Sequence, residues 1–125
     1  MKLAVTILVT AALAAGAGWA AGKAKPPKAY LVGEIEVTDT EAYKGYAAKA
    51  GPIIAACGGK YLARGGKVES LEGEPPRLRF AVVEFESFDA AKACYHSKAY
   101  QDIAAVRQKA SKSRFWLSEG LPRTR

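Results

Sequence analysis

The chain predicts an α+β fold with the element order β-α-β-β-α-β, and three features carry that expectation. Two runs, YLVGEIEV at 30–37 and RLRFAVVEFES at 77–87, have the alternating or nearly continuous apolar character of strands. Each is followed by a stretch with apolar residues at helical spacing. Glycine pairs at 58–59 and 65–66 bracket a further short strand, KYLAR.

In the first strand Leu31, Gly33, Ile35 and Val37 alternate with Tyr30, Val32, Glu34 and Glu36, so one face is apolar and the other carries two carboxylates. Asp39 can cap the helix that follows, and Glu41 suits its first turn. Tyr43, Tyr46, Ala47, Ala50, Ile53, Ile54 and Cys57 recur at helical spacing as a core-facing stripe. Gly51-Pro52 predicts a kink, and Gly58-Gly59 the end of the helix. The second strand, 60–64, is expected to resume from Val68 to Leu71 after a bulge or bend at Gly65-Gly66. The turn GEPP at 73–76 leads into the third strand, apolar enough to be central. Ser87 or Asp89 starts a second helical region that breaks at His96-Ser97. It restarts with Ser97 as a new cap and with Tyr100, Ile103 and Arg107 on one face; RFWLSEG, 114–120, is the last strand.

This order is the ferredoxin-like split βαβ arrangement. Right-handed crossovers place both helices on one face of a four-stranded antiparallel sheet. The other face is left open, and about 100 mature residues bury limited area alone. The expected assembly is therefore a homodimer, sheet against sheet.

Residues 1–22 begin with Lys2, continue as an apolar run from Leu3 to about Ala15 and end in small residues, the layout of a cleaved secretory signal peptide. An uncleaved anchor is the alternative, but the run is short, alanine-rich and interrupted by Gly16 and Gly18. Residues 23–29 form a basic, proline-containing linker, 30–121 the folded domain and 122–125 a basic tail. A periplasmic or secreted protein without stable membrane insertion is the consequence. The net charge of +7 resides mostly outside the domain: 30–121 holds 13 Lys and Arg against 12 Asp and Glu. That distribution argues against a nucleic-acid partner. Cys57 and Cys94 invite a disulfide in an exported chain. If the two helices run parallel, however, the helical rise separates them by roughly 15 Å, beyond the reach of about 7 Å between Cα atoms. Two buried free thiols are therefore expected.

EIEVTDTEAY, CGGKYLARGG, the EGEPP turn, RFAVVEFES and Tyr95-His96-Ser97 with Tyr100 downstream resemble the domain-of-unknown-function 1330 family, a branch of the dimeric α/β-barrel superfamily. The resemblance spans about 30–121 and implies the same fold and dimer, without an assigned activity. It touches Asp39, Gly58, Gly59, Arg64, Gly65, Gly66, Glu84, Phe85, Tyr95, Ser97, Tyr100 and Arg107. Cys94, His96 and Lys98 depart from the family pattern, so family chemistry should not need them.

Arg64 stands at the end of GGKYLARGG, which lacks a P-loop pattern and follows a helix rather than leading into one. Its five donors suit either a salt bridge to Glu69, Glu72 or Glu84, or recognition of a carboxylate or enolate. Glu34, Glu36 and Glu84 alternate onto strand faces, where a desolvated carboxylate with a raised pKa could act as a general base. Pairing with Arg77, Arg79 or Arg64 is the plainer role. Arg107 either pairs with an acid at the sheet end or reaches into a pocket. The expected ligand contacts are Arg64, Glu84, Tyr95, Ser97, Tyr100 and Arg107, with Glu84 and Arg64 as catalytic candidates. His96 is the single histidine, there is no Cys-x-x-Cys pattern, and no serine–base–acid set is evident; no metal and no cofactor are expected. The function these features suggest is binding of a small anionic or hydroxylated organic molecule. By analogy with related barrels, cofactor-independent isomerase, lyase or oxygenase turnover can accompany it. The alternative is a non-catalytic homodimeric assembly module of the cell envelope.

Overall fold

Alternation in 29–37 gives β1 (Ala29–Val37), a strand apolar enough on one face to take partners on both edges. The computed structural model describes residues 24–76 and 79–124; the expected leader, 1–22, lies outside the described residues. From β1 the chain continues through α1 (Thr40–Ala56), β2 (Lys60–Arg64), β3 (Arg79–Phe85), α2 (Phe88–Tyr95), α3 (Lys98–Ala110) and β4 (Ser111–Glu119). β1 pairs antiparallel with β3 and with β4, and β2 adds to the outer edge of β3, giving the order β2-β3-β1-β4. This is the expected ferredoxin-like α+β fold.

The caps follow the sequence. Asp39 Oδ1 accepts from the Ala42 amide at 3.2 Å, and Ser87 Oγ accepts from the Ala90 amide at 3.0 Å. Helix α1 passes through Pro52 as one element. The second helical region does break at His96-Ser97: α2 ends there, and the Ser97 hydroxyl caps α3 by accepting from the Tyr100 amide at 3.3 Å.

Register sorts the side chains. Toward the helices, Ile35 of β1 and Val83 and Phe85 of β3 pack with Tyr46, Ala50 and Ile54 of α1, Ala91 of α2, and Tyr100 and Ala104 of α3. On the open face Val32 stands between Val82 and Trp116, and Glu34 between Phe80 and Arg114. Trp116 is 44% exposed there.

Two expectations need correction. The second strand does not resume at Val68: Gly65 takes a φ of 70°, which turns the chain out of the sheet, and residues 66–75 are exposed without strand structure. Cys57 and Cys94 are not free thiols but form a disulfide, with Cα atoms 5.8 Å apart. The parallel-helix premise fails because β3 is antiparallel to β1. The helix after β3 therefore starts at the end of the sheet where α1 finishes, and the C-cap of α1 meets the last turn of α2.

The disulfide closes a separation of 37 residues. Chain entropy then gives about 4 kcal/mol of stabilisation. Replacing both cysteines by serine should lower the urea-unfolding free energy by up to about that amount. A thiol assay on the native protein should find free thiols only after reductant is added.

Candidate functional site

Between the helix-facing side of the sheet and the helices α1 and α3 lies a narrow cleft of about 30 Å3, enough for a small polar group. Its walls are the rings of Tyr43, Tyr46, Tyr61 and Tyr100, with Phe115 at the β4 side and Gly33 and Ala81 in the floor. Tyr43 and Tyr46 lie three residues apart on the buried face of α1, so helical spacing alone brings them together. Arg64 and Arg79 complete the lining, and among the described residues no carboxylate contributes to it.

Each arginine is held in its own way. Arg64, the last residue of β2, donates from Nη2 to the Ala47 carbonyl at 2.8 Å and lays its guanidinium over the Tyr61 ring at 4.2 Å. These contacts take the place of the expected salt bridge to Glu69, Glu72 or Glu84. Arg79 faces inward because β3 alternates Arg79, Ala81, Val83 and Phe85 onto the core side; its guanidinium lies 5.3 Å from the Tyr43 ring centroid.

Arg107 is the most deeply placed of the three, 2% exposed in α3 beside the cleft. Its guanidinium sits 4.1 Å over the Phe115 ring and 5.6 Å from that of Tyr46. Phe115 can occupy that position because Gly33 lies beneath it: a Cβ at Gly33 would come within 2.6 Å of the Phe115 ring. Nη1 donates to Ser113 Oγ at 2.7 Å. Nε and Nη2 are buried without a hydrogen-bond acceptor among the described residues.

Tyr43, Tyr46 and Tyr61 stay neutral at ordinary pH. The Tyr46 and Tyr100 hydroxyls share a buried hydrogen bond of 2.7 Å. Burial, and next the adjacent Tyr100 phenol, push the Tyr46 pKa far above the ordinary tyrosine value. Burial also raises Tyr43 and Tyr61, against the opposing pull of Arg79 and Arg64 respectively. The cleft can thus offer hydroxyl hydrogens and cationic donors to an oxyanion, and among the described residues no histidine, carboxylate or thiolate lines it to serve as a base.

Of the residues expected from the sequence, Arg64 and Tyr100 line this cleft, and Arg107 lies behind two of its rings, Tyr46 and Phe115. Glu84 does not. It lies on the opposite face of the sheet, where it accepts from Lys28 Nζ at 3.2 Å and from the Tyr30 hydroxyl at 3.3 Å. The Lys28 hydrogen bond holds its pKa below the usual carboxylate range, opposite to the shift a desolvated base requires. Ser97 is occupied as a cap and donates to the Cys94 carbonyl at 2.6 Å. Tyr95 stacks 5.4 Å from Tyr100 and, with the exposed His96, borders a separate groove of about 360 Å3 between α2 and β4. Glu34 is buried on the open face against Arg114, whose Nε donates to it at 3.0 Å. Tyr43, Tyr61, Arg79 and Phe115 were not anticipated as site residues. The period-two placement of Arg79 beside Val83 and Phe85 was the signal for it.

Fold and cleft together define a ferredoxin-like α+β protein with a cationic, phenol-lined site under its helices. The chain belongs to the domain-of-unknown-function family DUF1330, whose model matches residues 28–121. Among solved structures it is similar to RPA0582, a protein of unknown function from Rhodopseudomonas palustris. That likeness has 21% identity and a TM-score of 0.63, covering 87% of this chain and 93% of that one. It is also similar to SnoaB, a cofactor-independent oxygenase from Streptomyces nogalater, at 12% identity and a TM-score of 0.56, covering 78% of this chain and 96% of that one. None of the curated proteins matches the chain significantly.

Tyr46→Phe should cost about 1–3 kcal/mol, because it leaves the buried Tyr100 hydroxyl unpaired. The raised folded-state pKa of Tyr46 means that its contribution is complete below the unfolded tyrosine value of about 10 and is lost as pH rises beyond it. Urea midpoints should therefore differ between wild type and variant at about pH 8, and the difference should narrow above about pH 10.

Proposed function

We propose that this chain is an exported homodimer that binds a small anionic or hydroxylated organic molecule in the cleft between helices and sheet. The observation that carries the reading is the composition of the cleft: Arg64 and Arg79 among four phenols, with no acid among the described lining residues to neutralise them. Such a surface favours an oxyanion through charge-assisted hydrogen bonds. Aromatic walls favour a planar ligand body.

Turnover in such a site is confined to substrates that ionise readily themselves, since no described lining residue is a histidine, carboxylate or thiolate able to act as a base. The arginines would then stabilise an enolate or phenolate as it forms. This chemistry needs no metal, and among the described residues no cluster of His, Cys, Asp and Glu suited to a metal is present. The similarity in fold to a cofactor-independent oxygenase is compatible with that reaction type.

The layout of residues 1–22 and the Cys57–Cys94 disulfide both support export, because such bonds persist in oxidising compartments. No helix among the described residues is long and apolar enough to cross a membrane. A second copy is the proposed cover for the open sheet face, whose centre is the apolar row of Val32, Val82 and Trp116.

Arg64→Ala should cost only about 1 kcal/mol, the worth of one hydrogen bond and a ring contact. It should nevertheless abolish ligand-induced thermal stabilisation. Native mass spectrometry of the protein from its own host should show a leader-free dimer retaining a small molecule; a leader-free, ligand-free monomer contradicts the reading. Trp116→Glu should convert the dimer to monomer in sedimentation experiments, whereas an unchanged dimer would place the interface elsewhere.

A further inference from the structure

The guanidinium of Arg107 has two edges, and only one is used. Nη1, on the Cδ side, donates to Ser113 Oγ at 2.7 Å. The opposite edge presents Nε–H and Nη2–H side by side, the fork that matches the two oxygens of a carboxylate. Both nitrogens are buried, and no acceptor among the described residues meets either one. A buried donor left without a partner is costly, and a buried charge without a counter-ion more so. The carboxylates Glu34 and Glu84 lie on the other face of the sheet with their own cations, Arg114 and Lys28.

Two features compensate for part of that cost. The Phe115 ring faces the cation at 4.1 Å, and the position of Arg107 in the last turn of α3 suits a positive charge. Neither supplies an acceptor to Nε or Nη2. The phenols of Tyr100 and Tyr46 lie close by, but no acceptor of normal hydrogen-bond geometry among the described residues reaches the fork. The Tyr46–Tyr100 pair instead satisfies itself, leaving one hydroxyl hydrogen to spare.

We propose that Arg107 is the anion anchor of this site and that the ligand class is a small aromatic or hydroxylated carboxylic acid, one carboxylate group seated on Nε and Nη2. The inference rests on the small-molecule reading above and narrows it from anions in general to carboxylates. Phe115 and Tyr46 hold the guanidinium in place, and the spare phenol hydrogen of the Tyr46–Tyr100 pair is available to the same carboxylate. Arg107 lies behind Tyr46 and Phe115, two rings that line the cleft of about 30 Å3, so the carboxylate would reach the fork past those rings while the ligand body extends toward Arg64 and Arg79.

The test is NMR of the arginine Nε–H resonances in the folded full-domain protein, titrated with salicylate and benzoate and with phenol as the uncharged control. The expected result is that the Arg107 Nε–H resonance moves downfield and exchanges more slowly with either acid, and not with phenol. Arg107→Lys keeps the charge but lacks the fork. It should weaken salicylate binding about tenfold to a hundredfold, whereas Arg107→Gln, if folded, should lose binding outright. Binding of the acids with a response at Arg64 and none at Arg107 overturns the carboxylate anchor and leaves the cleft reading intact. Absence of any arginine response, together with no thermal stabilisation by either acid, overturns both.

Discussion

The ring of Phe115 lies against the backbone of Gly33, and the guanidinium of Arg107 lies on that ring. This stack is the constraint on which the cleft depends. A side chain at Gly33 would lift the ring off β1, and the arginine would lose the surface that supports its charge away from water. With the stack in place, an arginine only 2% exposed is held against the phenol-lined cleft under the helices.

Strand pairing then separates the charges. The strand carboxylates Glu34, Glu36 and Glu84 all fall on the open face by alternation, and Glu34 and Glu84 are met there by Arg114 and Lys28. Arg79 alternates the other way, toward the helices, and Arg64 ends β2 on the same side. One sheet thus presents paired charges outward and uncompensated cations inward.

Pairing also decides where the helices end. Because β1 and β3 run in opposite directions, the C-cap of α1 and the last turn of α2 arrive at the same end of the sheet, and Cys57 reaches Cys94. The Cys94 carbonyl accepts from Ser97, whose hydroxyl also receives the Tyr100 amide. The covalent link therefore acts on the cap that starts α3, the helix that carries both Tyr100 and Arg107. Ser97 thus joins the disulfide-bonded turn to the start of α3 through its two hydrogen bonds.

Local pattern was sufficient for the helices, for the strands apart from the expected resumption of β2 beyond Gly65, for the caps at Asp39, Ser87 and Ser97, and for the break after His96, because alternation, helical spacing and side-chain capping act within a few residues. It also singled out Arg64 and Tyr100, which line the cleft, and Arg107, which lies behind two of the cleft's rings. What it could not fix were relations across the chain: that Glu84 faces away from Arg64, that Arg79 and Phe115 join the site, and that the cysteines meet. Those depend on strand order and relative direction. A residue's neighbours across a sheet come from distant parts of the chain, and no short window of sequence records which of its two faces a second strand will turn toward the same helices.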